Sequence, residues 1–108
     1  MNEDQLTKRF IKQAHERGWV VAHFHRSPTQ KGTWSTPVAA DGKGFLDLVC
    51  VRERVLFVEL KSDRRYPTPD QRRWIERLQG AGAEVHVLKP RDLESGLVDE
   101  ILGGSLAT

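Results

Sequence analysis

Asp47, Glu59 and Lys61 lie inside the most apolar part of the sequence, FLDLVCVRERVLFVELK at residues 45–61. Burying a charge costs several kcal/mol unless something pairs with it, so three charges here need a chemical reason. Both halves of the stretch read as β-strands, and the charged Arg52-Glu53-Arg54 between them predicts a tight hairpin. Strand side chains alternate between faces, so Glu59 and Lys61 point the same way. A three-residue turn flanked by Val51 and Val55 sets those two opposite one another, and hence Asp47 opposite Glu59. Their β-carbons would then be about 4.5–5.5 Å apart, whereas a one-residue slip would put the acids on opposite faces. Two carboxylates that close repel unless a proton or a cation lies between them. A divalent cation relieves the repulsion, and an oxygen donor set suits Mg²⁺ or Mn²⁺. The bland alternative for Glu-x-Lys alone is a surface strand carrying a loose salt bridge.

Two further polar residues interrupt apolar patterns. In EDQLTKRFIKQAHER, residues 3–17, Leu6, Phe10 and Ala14 recur at helical spacing. At about 100° per residue Glu3 falls within their stripe. It is either a first-turn acid favoured by the helix dipole or an acid turned toward the sheet. Gln71 shares a helix face with Trp74, Ile75 and Leu78. It is either the capping-box partner of Thr68 or a side chain aimed at the same acids.

The elements that must position these residues follow from periodicity and punctuation. Gly18 closes the first helix, and WVVAHF is a strand. Residues 26–44 are polar, rich in Gly and Pro, and without periodicity, so they read as a long functional or mobile loop. After the hairpin, SDRRYPT is a second loop, and Thr68-Pro69 opens a helix running to about Gln79. AEVHVLK is a further strand, a short helix is expected after Pro90, and residues 103–108 are expected to be a flexible tail. The order predicts one α/β domain over residues 1–102, a mixed β-sheet flanked by helices. With 108 residues, 38% hydrophobic and 30% charged, there is material for one modest core. A net charge of +2 does not by itself imply nucleic-acid binding. One cysteine excludes an internal disulfide framework and a cysteine-rich zinc site, and Cys50 in LDLVCV reads as a small buried hydrophobe. No stretch is long and apolar enough for a membrane span, and the start MNEDQLTKRF is too polar for a secretory signal.

The ordered combination of the Glu3 helix ending in Gly18-Trp19, GFLDLV, FVELK and TPDQRRWIERLQGAGAEVHVLKP resembles the VRR-NUC branch of the PD-(D/E)xK nuclease superfamily, from Glu3 to about Arg91. The resemblance implies a restriction-endonuclease-like fold and metal-dependent DNA cleavage. Asp47 and Glu59 match the metal-binding acids, and the Leu60 carbonyl the backbone ligand between Glu and Lys. Lys61 matches the lysine that positions or activates the attacking water. Glu3 matches the first-helix acid, and Gln71 the glutamine opening the helix after the hairpin. The proline that commonly precedes the motif aspartate is Leu46 here, which loosens the match without removing a ligand. Standalone relatives resemble homodimeric junction-cleaving enzymes. The implied setting is replication or repair in a bacterial or phage-infected cytoplasm.

Basic residues cluster after the catalytic strand, at Arg64, Arg65, Arg72, Arg73 and Arg77, and Arg26, Lys31 and Lys43 come from the earlier loop. As a group they suit phosphate contacts, which position nucleic acid without specifying sequence. Trp34 among them either stacks on an unpaired base or anchors the loop. His23 and His25 share a strand face, but no third ligand lies near in sequence, so zinc is not expected. GKG at 42–44 lacks the spacing of a phosphate loop. The leading expectation is a Mg²⁺- or Mn²⁺-dependent endonuclease selective for branched DNA such as a four-way junction. Its rivals are a nickase acting with a helicase partner and a non-catalytic DNA-binding module on the same fold.

Overall fold

The computed structural model describes residues 1–24 and 38–103 in full, with the backbone of 27–28 and 34–35. In chain order the elements are α1 (Glu3–Glu16), β1 (Val20–His23), β2 (Ser27–Pro28), β3 (Trp34–Ser35), β4 (Leu48–Val51), β5 (Val55–Leu60), α2 (Pro69–Gly80), β6 (Glu84–Leu88), α3 (Pro90–Glu94) and α4 (Leu97–Leu102). The main sheet has the order β1-β4-β5-β6. Its first three strands are antiparallel, while β5 and β6 run parallel, with α2 as the crossover that a parallel pair requires. No helix among the described residues is long and apolar enough to cross a membrane.

Both long helices begin on capping boxes. Asn2 Oδ1 accepts from Gln5 N while Gln5 Oε1 accepts from Asn2 N, both at 2.9 Å, which fixes where α1 starts. Leu6, Phe10 and Ala14 of α1 are fully buried against Leu48, Cys50, Leu56, Val58, Leu60 and Leu88 of the sheet. Each large side chain buried there stabilises the fold by roughly 1.5–3 kcal/mol. Cys50 lies in this layer, and burial pushes its thiol up to about 11, so it is an inert part of the core.

The structure departs from the sequence reading in two places. Val98, Ile101 and Leu102 of α4 complete the core, although six residues set off by Gly96 are too short a helix to announce themselves by periodicity. Ser27–Pro28 and Trp34–Ser35 pair as a two-stranded ladder inside the stretch read as an irregular loop; two residues cannot display an alternation. The 52–54 turn is the tight hairpin expected, and it also makes tertiary contacts. The Arg52 and Arg54 guanidiniums lie 4.8 and 5.1 Å from the Trp19 ring centroid, and Trp19 Nε1 donates to Leu102 O at 3.0 Å. Arg54 also pairs with Glu84 at 2.9 Å and bonds the Ile101 carbonyl, so the hairpin tip ties α4 to the sheet. Of the expected tail only Gly103, which caps α4, is among the described residues.

The other sheet face holds an aromatic cluster. Phe45 meets Phe24, Phe57 and Trp74 edge-on, with centroids 5.8, 6.3 and 5.1 Å apart. Phe45 follows Gly44, whose φ of +81° is a conformation that L side chains rarely adopt. A β-carbon at Gly44 would sit 2.5 Å from Asp70 Cβ and 2.8 Å from Gln71 N. The second glycine of GKG lets the chain entering β4 touch the first turn of α2. Gly44→Ala is expected to cost about 2–4 kcal/mol, measured by urea denaturation. Unchanged stability would mean that α2 docks without this close approach.

Candidate active site

The hairpin register aligns the two acids. Leu48 pairs with Val58 and Val51 with Val55, so Asp47, one residue before β4, lies beside Glu59. Two main-chain bonds fix Asp47 there. Its carbonyl accepts from Phe24 N at 2.8 Å, and its Oδ2 accepts from Leu60 N at 3.1 Å. The Leu60 amide is thus used on Asp47, while the Leu60 side chain faces the core.

Glu59 is 1% exposed and Lys61 5%, with Lys61 Nζ 4.0 Å from Glu59 Oε1. They point the same way on β5, as strand alternation requires. Gln71 reaches the same carboxylate from α2. Its Nε2 donates to Glu59 Oε1 at 3.3 Å, while its Oε1 accepts from Thr68 N at 2.8 Å and Thr68 Oγ1 accepts from Gln71 N at 3.2 Å. The two alternatives for Gln71 hold together: the capping box fixes its Oε1, and this aims the amide nitrogen at the acid. Glu3 comes from the start of α1, with Oε2 3.9 Å from Arg65 Nη1. Glu3 Oε1 and Glu59 Oε2 are both buried without a hydrogen-bond partner among the described residues.

Burial raises the Glu59 carboxyl far above the usual carboxylate range, to about 9. Hydrogen bonding with Asp47 and the Asp47 charge add to the rise, Glu3 adds a little, and Lys61 pulls the other way without prevailing. When protonated, Glu59 can donate to Asp47; when ionised, its Oε2 has no donor among the described residues and its carboxylate faces a second negative charge. A divalent cation between the two acids removes that penalty, so the donor set fits one. Among the described residues no three of His, Cys, Asp and Glu converge on a single point. Two carboxylates with a backbone carbonyl suit Mg²⁺, which keeps several waters, better than a closed all-protein cage.

The basic residues are spread around this centre. Arg64, Arg65, Arg72, Arg73 and Arg77 are exposed on the 62–67 turn and on α2. Lys43 is exposed, 3.5 Å from Asp70 at the start of α2, and Arg73 Nη2 donates to Asp41 O at 3.3 Å. Arg26, Lys31 and His25 lie outside the described residues, and Trp34 is described by its backbone alone. His23 stands on β1 opposite Leu48. Lys89 escaped the sequence reading. It is only 9% exposed and reaches the 62–67 turn, a tertiary contact with no local signature.

In EDTA the raised Glu59 carboxyl makes stability fall with pH. The folded chain binds more protons than the unfolded one between about pH 4.5 and 9. The associated stability is fully present below that window and is lost as pH rises through it. The melting temperature of the metal-free protein is expected to drop by several degrees from pH 5 to pH 8, with a much smaller drop in Glu59→Gln. Equal pH slopes in the two proteins would contradict the assignment.

Comparison with known proteins bears on the family and the fold. The VRR-NUC domain family matches residues 1–92. A solved VRR-NUC domain is 24% identical, covering 93% of this chain and 92% of its own, with a TM-score of 0.65. A second solved VRR-NUC domain protein is 23% identical, covering 97% and 93%, with a TM-score of 0.63; both likenesses speak to the fold. Among curated proteins none matches. The extent of the family match, over a mixed sheet flanked by helices, places the chain in the VRR-NUC family of nuclease-type domains.

Proposed function

We propose that the protein is a metal-dependent endonuclease that hydrolyses phosphodiester bonds in branched DNA during replication or repair. The observation that carries this reading is the buried Glu59 carboxyl group beside Asp47, with its Oε2 lacking a hydrogen-bond partner among the described residues. A site that raises a carboxyl so far is suited to a cation that replaces the proton.

Asp47, Glu59 and the Leu60 carbonyl would hold Mg²⁺ or Mn²⁺. Such a cation, when bound, supplies an acidified water and neutralises charge on the phosphoryl oxygens. Lys61 holds its ammonium beside Glu59, where it orients the attacking water and donates to charge developing on the phosphate. Gln71 fixes the Glu59 rotamer through its own anchored amide. Glu3 supplies a further carboxylate that receives a proton or binds a water at the edge of the site. Arg64, Arg65, Arg72, Arg73 and Lys43, with Arg26 and Lys31, contact backbone phosphates and set the strand over these groups.

Two chains acting together would present two such sites to two strands, as a four-way junction requires. The sheet face opposite α1 supports pairing. Val20 is 73% exposed there, and Phe24, Val51 and Val55 on the same face are exposed too, apolar side chains of the kind found at interfaces.

Cleavage of labelled four-way junction, flap, duplex and single-stranded DNA in Mg²⁺, Mn²⁺ or EDTA tests the reading. The junction is expected to be cut in either metal and not in EDTA. Glu59→Ala and Lys61→Ala are each expected to lower the rate by about 10²–10³-fold or more without loss of fold. Tight DNA binding with no cutting in either metal would instead indicate a non-catalytic module. A requirement for an added helicase would indicate the nickase.

A further inference from the structure

Lys89 follows β6, and its side chain is buried although it carries a charge. In the parallel register Leu60 lies beside Leu88, and Lys61 N donates to Leu88 O at 3.0 Å. The next pair along is therefore Lys61 with Lys89, side by side on the sheet face that carries Glu59. The two ammoniums go to different places. Lys61 stays with Glu59, while Lys89 Nζ lies 4.0 Å from the Tyr66 ring centroid and donates to Asp63 O at 3.1 Å. Two main-chain features hold the base of Lys89: its N donates to Asp92 Oδ2 at 2.7 Å, and its carbonyl accepts from Asp92 N at 2.8 Å.

Asp63 and Tyr66 belong to the turn that joins Lys61 to the Thr68 cap of α2. The same turn carries Arg64 and Arg65, and Arg65 reaches Glu3. Arg91 also approaches Asp63, at 3.5 Å to the carbonyl and 3.8 Å to the carboxylate, but both side chains are largely solvated and such a pair holds weakly. A desolvated ammonium on an aromatic face holds more firmly. Apart from that face, Tyr66 is exposed, so packing gives it no other reason to stay in place.

We propose that Lys89 is a positioning residue. By stacking on Tyr66 and bonding the Asp63 carbonyl, it braces the 62–67 turn so that Arg64 and Arg65 meet DNA phosphates at a fixed distance from the Asp47–Glu59 pair. The role rests on the nuclease reading of the site; the brace itself does not. Small displacements of groups that position a substrate cost large factors in rate or binding.

The test uses the full chain with Lys89→Met, Lys89→Arg, Tyr66→Leu and Tyr66→Phe. One arm measures tryptic cutting after Arg64 and Arg65 by mass spectrometry, without DNA and well below the melting temperature. The other measures KM and kcat on a DNA junction in Mg²⁺. Lys89→Met and Tyr66→Leu are expected to speed tryptic cutting about 10-fold and to raise KM about 10-fold, with kcat changed by less than about three-fold. Lys89→Arg and Tyr66→Phe keep the cation, the donor and the ring, and should stay near wild type in both arms. Tyr66→Leu alters an exposed side chain and stands in if Lys89→Met folds poorly. Unchanged tryptic cutting in Lys89→Met and Tyr66→Leu overturns the brace. Faster cutting with an unchanged KM reduces Lys89 to a structural contact and overturns its positioning role. A wild type that cuts no DNA overturns the nuclease reading and the positioning role with it, while the tryptic arm still decides the brace.

Discussion

The approach of two carboxylates across one hairpin is the constraint on which the rest of the structure depends. Asp47 and Glu59 face each other because Val51 and Val55 flank a three-residue turn, and the Leu60 amide bonds Asp47 Oδ2 so that it cannot swing away. Held this way in a buried site, the pair is unfavourable as two anions. Lys61 and Gln71 offset part of that penalty on Glu59 Oε1, and Oε2 is left to a proton or a cation.

The two faces of the sheet divide the labour. Even-numbered residues of β4 and β5, from Leu48 to Leu60, make a dry layer with α1 and α4 that supplies the stability. Odd-numbered ones carry the site, and α2 is brought against them by the bare backbone of Gly44 and by the aromatic contacts of Phe45. The first turn of α2 then delivers Gln71 to Glu59 as a by-product of capping the helix. A strained local energy at the acids is tolerated because both layers around them are well satisfied.

Much of this was legible in the sequence, for reasons that differ from residue to residue. Strand alternation placed Glu59 and Lys61 on one face, and the length of the Arg52-Glu53-Arg54 turn gave the register that set Asp47 opposite Glu59; both are local rules that tertiary structure did not override. The capping box gave the start of α2, although its second use, aiming Gln71 at an acid, depends on how α2 docks. Contacts between distant segments carried no such signal. The Gly44–Asp70 approach, the stacking of Arg52 and Arg54 on Trp19, and the reach of Lys89 to Tyr66 join residues that no periodicity links. The last helix was missed because its apolar positions, Val98, Ile101 and Leu102, span barely more than one turn.

On the proposed reading, a divalent cation takes the place of a proton between Asp47 and Glu59. Anomalous diffraction from a crystal of the protein grown near pH 7.5 and soaked in Mn²⁺ would locate that cation. An anomalous peak is expected within coordination distance of carboxylate oxygens from both residues, absent in Glu59→Gln. A crystal in which both acids keep their positions, with no manganese between them at saturating Mn²⁺, would contradict that reading.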